Sequence, residues 1–383
     1  MKLFSSTIIK GIVILLVIIF AGLICYAVGA HYVGTAPHET AFQPFKQLNQ
    51  PLGLQLELEG CFLRSQDPSG FVLKALSLSP QVKLSADRPV KVQFVMRNIN
   101  TTDTSVHGAT IDEKIPKEMA MRVSLEVQPS APKTVKFRST REKSEFDFYV
   151  IGDNRSYYKV MKEIFFQSNQ ERPLFIFHTG DLVKSATPES MLEHENFSLK
   201  ASVPYFTAIG NHDLDKDNKA DDYLKLFGPT YYRFSYAGVL FIVLDNSEGF
   251  ISFKQLNWLE DQLEDVSKFR RVIVFAHQPP LDPRRGRHHG MKPIIGGSYF
   301  LMKKLKKAHP NLLFICGHIH SYYDFRVNDI HVVISGGAGA GRSEPFPFYH
   351  YLVLQVRNNS IKQKLVQVDV DVGTETDQVT NGY

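Results

Sequence analysis

The chain has 383 residues, of which 43% are hydrophobic, and a formal net charge of +5. This length leaves room for more than one hydrophobic core, so two folded domains are expected. Outside one short loop no basic stripe is interleaved with aromatic residues, which argues against a nucleic-acid partner. The three cysteines, Cys25, Cys61 and Cys316, fall in different parts of the chain, so no disulfide framework is expected.

Residues 1–30 include an uncharged apolar run, from 11 to 30, that is long enough to cross a bilayer as a helix. Lys2 and Lys10 precede the run, so the positive-inside rule predicts a cytoplasmic amino terminus and an extracytoplasmic catalytic part. The sequence therefore favours a retained single-pass transmembrane anchor. A cleaved signal peptide with a secreted product is the alternative, because Val28-Gly29-Ala30 resembles a cleavage site.

Residues 31–143 are expected to form a small all-β domain. Apolar and polar residues alternate over short stretches, with Pro, Asn, Asp and Ser at the breaks. Five or more strands are predicted, and they include residues 54–58, 71–78, 90–96, 121–127 and 134–139. Their spacing is typical of a β-sandwich. No chemistry-bearing cluster occurs there, so a spacer and docking role is expected.

Residues 144–371 contain five buried runs rich in Val, Ile, Phe and Leu, and a polar motif follows each run. The runs cover residues 146–151, 174–177, 205–209, 271–275 and 312–316. The motifs are Gly152-Asp153-Asn154-Arg155, Gly180-Asp181, Gly210-Asn211-His212-Asp213, Ala276-His277 and Gly317-His318-Ile319-His320. In open α/β sheets the strand ends form the binding crevice. Asp, Asn and His suit Mn, Fe, Zn, Co or Ni, so the pattern predicts a two-metal hydrolase.

Helices are expected between these strands, which makes the predicted fold class α/β. Apolar residues recur at helical spacing over residues 157–167, 253–266 and 299–308. Further strands are predicted at 331–335, 351–356 and 361–368. Residues 372–383 are polar and are expected to form a flexible tail.

The order and the residues of the five motifs resemble those of the calcineurin-like metallophosphoesterase family over residues 146–370. The resemblance implies a four-layer fold, a β-sandwich of two sheets flanked by helices. Residues 135–140 resemble the closing strand of the immunoglobulin-like domain that precedes the catalytic domain in some purple-acid-type relatives. The implied activity is hydrolysis of phosphomonoesters or phosphodiesters by a hydroxide that bridges two divalent metal ions.

The same resemblance implies a set of metal ligands. It makes Asp181 the bridging ligand. It gives Asp153 and His320 to the first metal, and it gives Asn211, His277 and His318 to the second. Three histidines that follow buried strands in these motifs favour ligand roles over structural ones. The metals themselves stay unidentified among Mn, Fe, Zn, Co and Ni.

Two further residues of the third motif have roles implied by the resemblance. His212 is expected over the bound phosphate, where it stabilises the transition state and protonates the leaving oxygen. Asp213 is expected to orient His212 or the surrounding turn, and a plain Asx-type turn role is the alternative. His178, just before Thr179-Gly180-Asp181, has no ligand role in the family pattern and is expected to be structural.

Arg155 departs from the family pattern, because many relatives have a histidine ligand of the first metal at this position. A guanidinium stays protonated and cannot coordinate a cation. We expect Arg155 to clamp the substrate phosphate, assisted by Asn211, and a pairing with a structural carboxylate is the alternative. The first metal would then be completed by water or by another side chain.

The loop at residues 279–289 is basic and rich in Pro and Gly. Arg284 and Arg285 are candidate substrate-binding residues for a second phosphate or an acidic head group. A solvated surface run is the equal alternative. Residues 182–184 lack the tyrosine of purple acid phosphatases and the Asp-Arg-Gly run of protein Ser/Thr phosphatases, so the chain resembles neither subgroup closely.

Three functions are therefore open. The first is a metal-dependent phosphoesterase acting on a phosphorylated small-molecule or lipid-linked substrate. The second is a membrane-surface hydrolase of a sugar-nucleotide or lipid pyrophosphate, with the bilayer as a partner through the N-terminal helix. The third, of another class, is a non-catalytic binding protein on the same scaffold. The presence of the complete motif set favours the enzyme.

Overall fold

The computed structural model describes residues 19–20, 36, 38–48, 53–141, 143–292, 297–358 and 360–370. The predicted anchor lies outside the described residues except for Ile19 and Phe20, and the predicted tail at 372–383 lies outside them entirely. Within the described residues, no helix has the length and apolar character needed to span a bilayer. The anchor and the cleaved-signal alternative both stay predictions.

The first domain consists of ten strands in two five-stranded sheets, ordered β1-β2-β5-β10-β7 and β3-β4-β6-β9-β8. The strands are β1 Phe45–Leu48, β2 Leu54–Glu59, β3 Cys61–Asp67, β4 Gly70–Ala75, β5 Gln81–Ala86, β6 Val90–Arg97, β7 Thr104–His107, β8 Thr110–Ile115, β9 Ala120–Val127 and β10 Lys133–Ser139. Residues of both sheets, among them Leu56, Phe94 and Phe137, share one buried core. The two sheets therefore form a β-sandwich.

The sandwich contains five strands beyond the five whose bounds are predicted. β8 lies at the edge of its sheet and pairs with β9 alone. It is almost entirely exposed, so neither of its faces is buried. Such edges lack the alternation by which half-buried strands are found in a sequence. β4 and β6 pair in parallel while the neighbouring pairs are antiparallel. The immunoglobulin-like assignment stays a prediction.

The second domain contains two sheets with helices outside them. Its elements are β11 Phe146–Ile151, α1 Tyr158–Glu171, β12 Ile176–His178, α2 Pro188–Ser198, β13 Tyr205–Thr207, α3 Asp221–Phe227, β14 Tyr232–Tyr236, β15 Val239–Val243, α4 Phe253–Leu263, β16 Arg271–Phe275, α5 Ser298–Ala308, β17 Leu312–Cys316, β18 Tyr322–Val327, β19 Ile330–Ser335, β20 His350–Val356 and β21 Ile361–Gln367. The sheet orders are β13-β12-β11-β20-β21 and β14-β15-β16-β17-β19-β18.

The two sheets face each other across an aromatic core. Phe177 of one sheet stacks on Phe275 of the other with ring centroids 3.6 Å apart, and Phe148 packs edge-to-face on Phe241. Helix α1 covers the outer face of the first sheet, while α4 and α5 cover that of the second. The layers are thus helix, sheet, sheet and helix, a mixed α/β arrangement as expected.

The parallel strands bring the five motifs to one edge. β11, β12 and β13 are parallel neighbours, and so are β15, β16, β17 and β19. Their carboxyl ends therefore point the same way, and the polar residues that follow them meet there. An asparagine of the sandwich holds the other end of β13, because Asn98 exchanges two hydrogen bonds with the Tyr205 backbone at the start of this strand (2.8 and 2.9 Å).

Element boundaries differ from the predictions in two informative places. Helix α1 continues past the predicted end at 167 to Glu171, where Arg172 adopts a left-handed conformation directly before Pro173 and stops it. Helix α4 ends at Leu263 rather than at 266, because a separate 3-10 turn follows at Val266–Lys268. Cys316 is buried at the end of β17.

Candidate metal centre

The turns that leave the strands hold three of the predicted ligands in an unusual backbone conformation. Asp153, Asp181 and His318 have φ angles of 60°, 58° and 68°, in the left-handed region that side chains other than glycine rarely adopt. Such strain persists where the surrounding structure enforces it and it gathers at functional sites. A glycine directly precedes each of these three residues. At Gly317 a side chain would not fit, because a Cβ there would lie 2.3 Å from Asp153 Oδ2.

The first group of possible ligands consists of Asp153, Asp181 and His320, whose ligand atoms lie within 4.8 Å of one another. Nε2 of His320 is 3.7 Å from Oδ1 of Asp153. Its other nitrogen, Nδ1, donates to the Gly341 carbonyl at 2.8 Å. Because a carbonyl only accepts, Nδ1 carries the proton and the Nε2 lone pair faces the carboxylates.

The second group consists of Asp181, His277 and His318. Nε2 of His277 lies 3.2 Å from Asp181 Oδ1, 3.1 Å from Asn211 Oδ1 and 3.1 Å from His318 Nδ1. Ligands at about 2.1 Å from one shared ion lie roughly 3 to 3.4 Å apart, so this spacing fits a divalent cation. Nδ1 of His277 donates to the Thr179 carbonyl at 3.0 Å, which leaves Nε2 free to coordinate.

The electrostatics of the centre also suit cations. Burial lowers the pKa of His318 to about 3 and that of His320 to about 4, so both imidazoles are neutral near pH 7. Burial and the Asp181 charge raise the pKa of Asp153 well above its ordinary value. For Asp181 burial opposes ionisation, but His277 and His212 hold its pKa below the ordinary value. Two buried carboxylates facing neutral nitrogens form a donor set that a divalent ion would complete.

His212 stands beside the ligands without belonging to either group. Its backbone N–H donates to Asp181 Oδ1 at 3.0 Å, and its Nε2 lies 4.0 Å from Asp181 Oδ2. Its Nδ1 donates to the Lys184 carbonyl at 2.8 Å, so Nε2 is the nitrogen that faces the centre. Its side chain is 31% exposed, whereas that of His277 is fully buried. A substrate can therefore reach Nε2.

Arg155 follows Asp153 into the same cleft. Its Nη2 lies 3.2 Å from His212 Nδ1, and because that nitrogen already donates to Lys184, this approach is packing rather than a hydrogen bond. The Arg155 Nε is buried and has no hydrogen-bond partner among the residues that the structure describes. After burial, the charge of Arg155 is the strongest influence that lowers the pKa of His320. The guanidinium thus adds positive charge to the first group.

Residues 146–322 match the family described as calcineurin-like phosphoesterase. The chain carries a calcineurin-like phosphoesterase domain. The matched stretch includes all five motifs, from Asp153 to His320, and the family is one of metal-dependent phosphoesterases. The resemblance drawn from the motifs is confirmed.

Curated relatives that match part of the chain include the following two. A probable cyclic nucleotide phosphodiesterase of Fibrobacter succinogenes is 28% identical over 41% of this chain and 61% of its own length. A probable glycerophosphodiester phosphodiesterase of Arcobacter nitrofigilis is 26% identical over 39% of this chain and 57% of its own length. The chain thus spans about three fifths of the length of these relatives. A solved dimetal phosphatase from Danio rerio is similar with a TM-score of 0.43 and 14% identity, covering 58% of this chain and 99% of that one.

Asp213 and His178 have structural partners within the phosphoesterase domain. The Asp213 carboxylate accepts hydrogen bonds from backbone N–H groups and none of its described hydrogen bonds involves the His212 ring. His178 Nδ1 accepts from the Gly180 N–H and its Nε2 donates to Asn154 Oδ1 at 3.0 Å. Burial lowers the pKa of His178 well below its ordinary value. Both residues therefore shape turns next to the ligands.

The structure does not bring Arg284 into the cleft as a free cation. Its Nε and Nη2 both donate to Asp282, at 2.9 Å each, and Asp282 also accepts from the His289 N–H. This pairing of residues two apart occupies the guanidinium that was predicted to bind substrate. Arg285 is exposed on the same loop. The alternative of a surface run fits both arginines better.

Two residues of the site were missed by the sequence reasoning. Asn246 is fully buried and its Oδ1 accepts from the N–H groups of His277 (3.0 Å) and Gln278 (2.9 Å). It follows the buried strand β15, so the rule of a polar residue after an apolar run could have found it. The imidazole of His289 lies over that of His318, with ring centroids 6.1 Å apart. No local signal distinguishes His289 from its neighbour His288.

Proposed function

We propose that the chain is a two-metal phosphoesterase that hydrolyses phosphate esters. The observation that carries the proposal is the double membership of Asp181, which belongs to both groups of possible ligands. A carboxylate shared by two such groups is what a pair of cations needs as a bridge. Asp153 and His320 would hold the first ion, and Asn211, His277 and His318 the second.

The chain's own residues divide the remaining work. When bound, two cations would polarise the phosphoryl group and acidify water. His212 directs Nε2 toward the cleft and is held there by the Lys184 carbonyl, so it can give a proton to the leaving oxygen. Arg155 has a buried Nε without a described partner, and its guanidinium can bind the anionic oxygens of the substrate.

Phosphodiesters are the substrate class that we favour. Two of the matching curated relatives are named as phosphodiesterases, one for cyclic nucleotides and one for glycerophosphodiesters, and two are named as serine/threonine-protein phosphatases at 28% identity over a shorter stretch. A phosphomonoester is the competing class. The pyrophosphate alternative was motivated by the apolar N-terminal segment and by the arginine loop, and one arginine of that loop, Arg284, pairs with Asp282. We further propose that the apolar segment at residues 11–30 anchors the chain in a membrane with the phosphoesterase domain outside.

Metal analysis and a substrate panel test the proposal together. We expect two equivalents of divalent metal per chain and hydrolysis of bis(p-nitrophenyl) phosphate that stops on chelation and returns with Mn²⁺, Fe²⁺, Zn²⁺ or Co²⁺. p-Nitrophenyl phosphate in the same panel separates diesters from monoesters. Stoichiometric metal without turnover of either ester would support the non-catalytic binding protein instead. A soluble product beginning near residue 31 would contradict the anchor.

A further inference from the structure

Residues 38–41, here called the strap, dock onto the phosphoesterase domain before the chain enters β1. The side chains of His38 and Glu39 are ionisable, yet the residues are only 5% and 6% exposed. The Thr40 carbonyl accepts from the Thr230 N–H at 3.0 Å, and the Thr40 N–H donates to Thr230 Oγ1 at 3.1 Å. Backbone and side-chain hydrogen bonds therefore hold Thr40 of the strap against Thr230, a residue 190 positions later in the sequence.

His38 faces two carboxylates and a hydroxyl of the phosphoesterase domain. Its Nε2 lies 3.3 Å from Asp245 Oδ2 and 3.1 Å from Ser247 Oγ, while its Nδ1 lies 4.0 Å from Glu248 Oε1. Burial opposes protonation of His38, but Asp245 and the other nearby carboxylates outweigh burial and raise its pKa. Loss of the His38 side chain would leave the buried Asp245 carboxylate without this partner, which is costly, so His38 holds the residues at 245–247 in place.

Glu39 is linked to the turn at residues 245–247 by hydrogen bonds through Gln255. It accepts hydrogen bonds from the Ser252 hydroxyl, from the Ser252 N–H at 3.3 Å and from Gln255 Nε2 at 3.0 Å. Gln255 in turn accepts from the Asp245 N–H and donates to the Asp245 carbonyl, both at 2.8 Å. The two ionisable residues of the strap thus converge on Asp245 from two sides.

Asn246 connects this turn to the second group of metal ligands. Its Oδ1 accepts from the His277 N–H, and its Nδ2 donates to the Gln278 carbonyl at 2.7 Å. Asn246 stands between Asp245 and Ser247, the two residues that His38 contacts. A displacement of the turn therefore moves the backbone that carries His277.

We propose that the strap positions the second metal ligand His277 through His38, Asp245 and Asn246. The inference rests on the proposed two-metal function. Metal affinity depends steeply on the groups that orient a ligand, and loss of such a group costs about ten- to a hundred-fold in affinity. The strap is the only part of this path that lies outside the domain matched by the family, at residues 146–322.

Calorimetric titration of the metal-free protein with Mn²⁺ tests the inference without reference to activity. His38→Ala should weaken the second site about ten- to a hundred-fold and leave the first unchanged. His277→Ala identifies which of the two sites is the second. Asn246→Ala should weaken the same site, and the double variant His38→Ala/Asn246→Ala should be no weaker than the worse single variant, because both changes break one path.

Lys74→Ala is the matched control, since Lys74 makes another buried ion pair between the two domains, with Glu195 at 2.9 Å, away from the 245–247 turn. It should lower stability and leave both affinities unchanged. If His38→Ala does not fold, His38→Gln removes the imidazole and keeps a hydrogen-bond donor for the same titration. A parent protein that binds fewer than two ions overturns the two-metal function itself. Two unchanged affinities in the His38 variant, or additive effects in the double variant, overturn the strap's role.

Discussion

Asp213 holds the backbone that carries Asp181. Its Oδ2 accepts from the Asp181 N–H at 2.9 Å and from the Gly210 N–H at 2.8 Å. Its Oδ1 accepts from the N–H groups of Leu182 and Val183 at 2.8 and 3.3 Å. One buried carboxylate thereby ties the second motif to the third. Of the roles predicted for Asp213, the structure favours organisation of the turn over contact with the His212 ring.

Replacing Asp213 should damage the fold as well as the metal centre. Asp213→Ala leaves several buried N–H groups without an acceptor, and each costs about 1 to 3 kcal/mol. We expect a fall in the free energy of unfolding of about 3 kcal/mol or more, measured by urea denaturation. Asp215→Ala is the control, because Asp215 accepts backbone N–H groups in an open turn and should cost far less. Equal losses in the two variants would contradict the assigned role.

The shared position of Asp181 predicts a loss of both ions together. Asp181→Asn should bind neither metal and lose nearly all turnover while keeping its fold, because a ligand at a strand exit adds little to the core. Asp153→Asn is the comparison, since Asp153 belongs to one group only and its variant should lose one ion. Elemental analysis and circular dichroism provide the measurements. Two ions retained by Asp181→Asn would rule out the bridge.

The acid role of His212 predicts a dependence on the leaving group. His212→Ala should slow hydrolysis of alkyl esters by about a hundred- to ten-thousand-fold. A p-nitrophenolate leaving group needs less protonation, so the same variant should lose less on that ester. The measurement is kcat on matched alkyl and p-nitrophenyl diesters. Equal losses on both would reduce His212 to a positioning residue.

Arg155 should affect substrate and not metal. Arg155→Ala should raise KM or lower kcat with metal content unchanged, and loss of one charge-assisted contact should cost about 1.5 to 3 kcal/mol, or about ten- to a hundred-fold in kcat/KM. Arg155→His is a sharper comparison, because it introduces the ligand found in many relatives and should tighten binding of the first ion. If it binds metal no better than the parent, Arg155 does not occupy the position of that ligand.

His194 should make the fold sensitive to acid. Burial lowers its pKa to about 3, and its Nε2 lies 3.0 Å from the Tyr205 hydroxyl. The unfolded chain binds a proton near pH 6.5 and the folded chain does not, so stability is full above pH 6.5 and falls as the pH decreases toward 3. Between pH 7.5 and 5, urea denaturation of the parent should show a loss larger by about 2 kcal/mol than that of His194→Gln. The exposed His107→Gln should keep the parent's pH dependence.

The sequence predicted the strands and the chemistry of the centre from local patterns. Strands β11, β16 and β17 have the predicted bounds, because fully buried parallel strands read as continuous apolar runs. The ligands follow those runs directly, so their convergence comes from the parallel order of the strands. The exposed edge strand β8 was not predicted, since a strand that buries neither face shows no alternation of apolar and polar residues.

The tertiary structure alone decided which partner each polar side chain has. Asp213 accepts hydrogen bonds from a turn about 30 positions away in the sequence. Asn246 accepts one from a proposed metal ligand 31 positions away, and Glu39 accepts one from the start of a helix 213 positions away. Arg284, in contrast, pairs with its near neighbour Asp282. Residue type and spacing determine what a side chain can bind. Which donor or acceptor comes within 3 Å depends on how distant segments pack, and that information is not local.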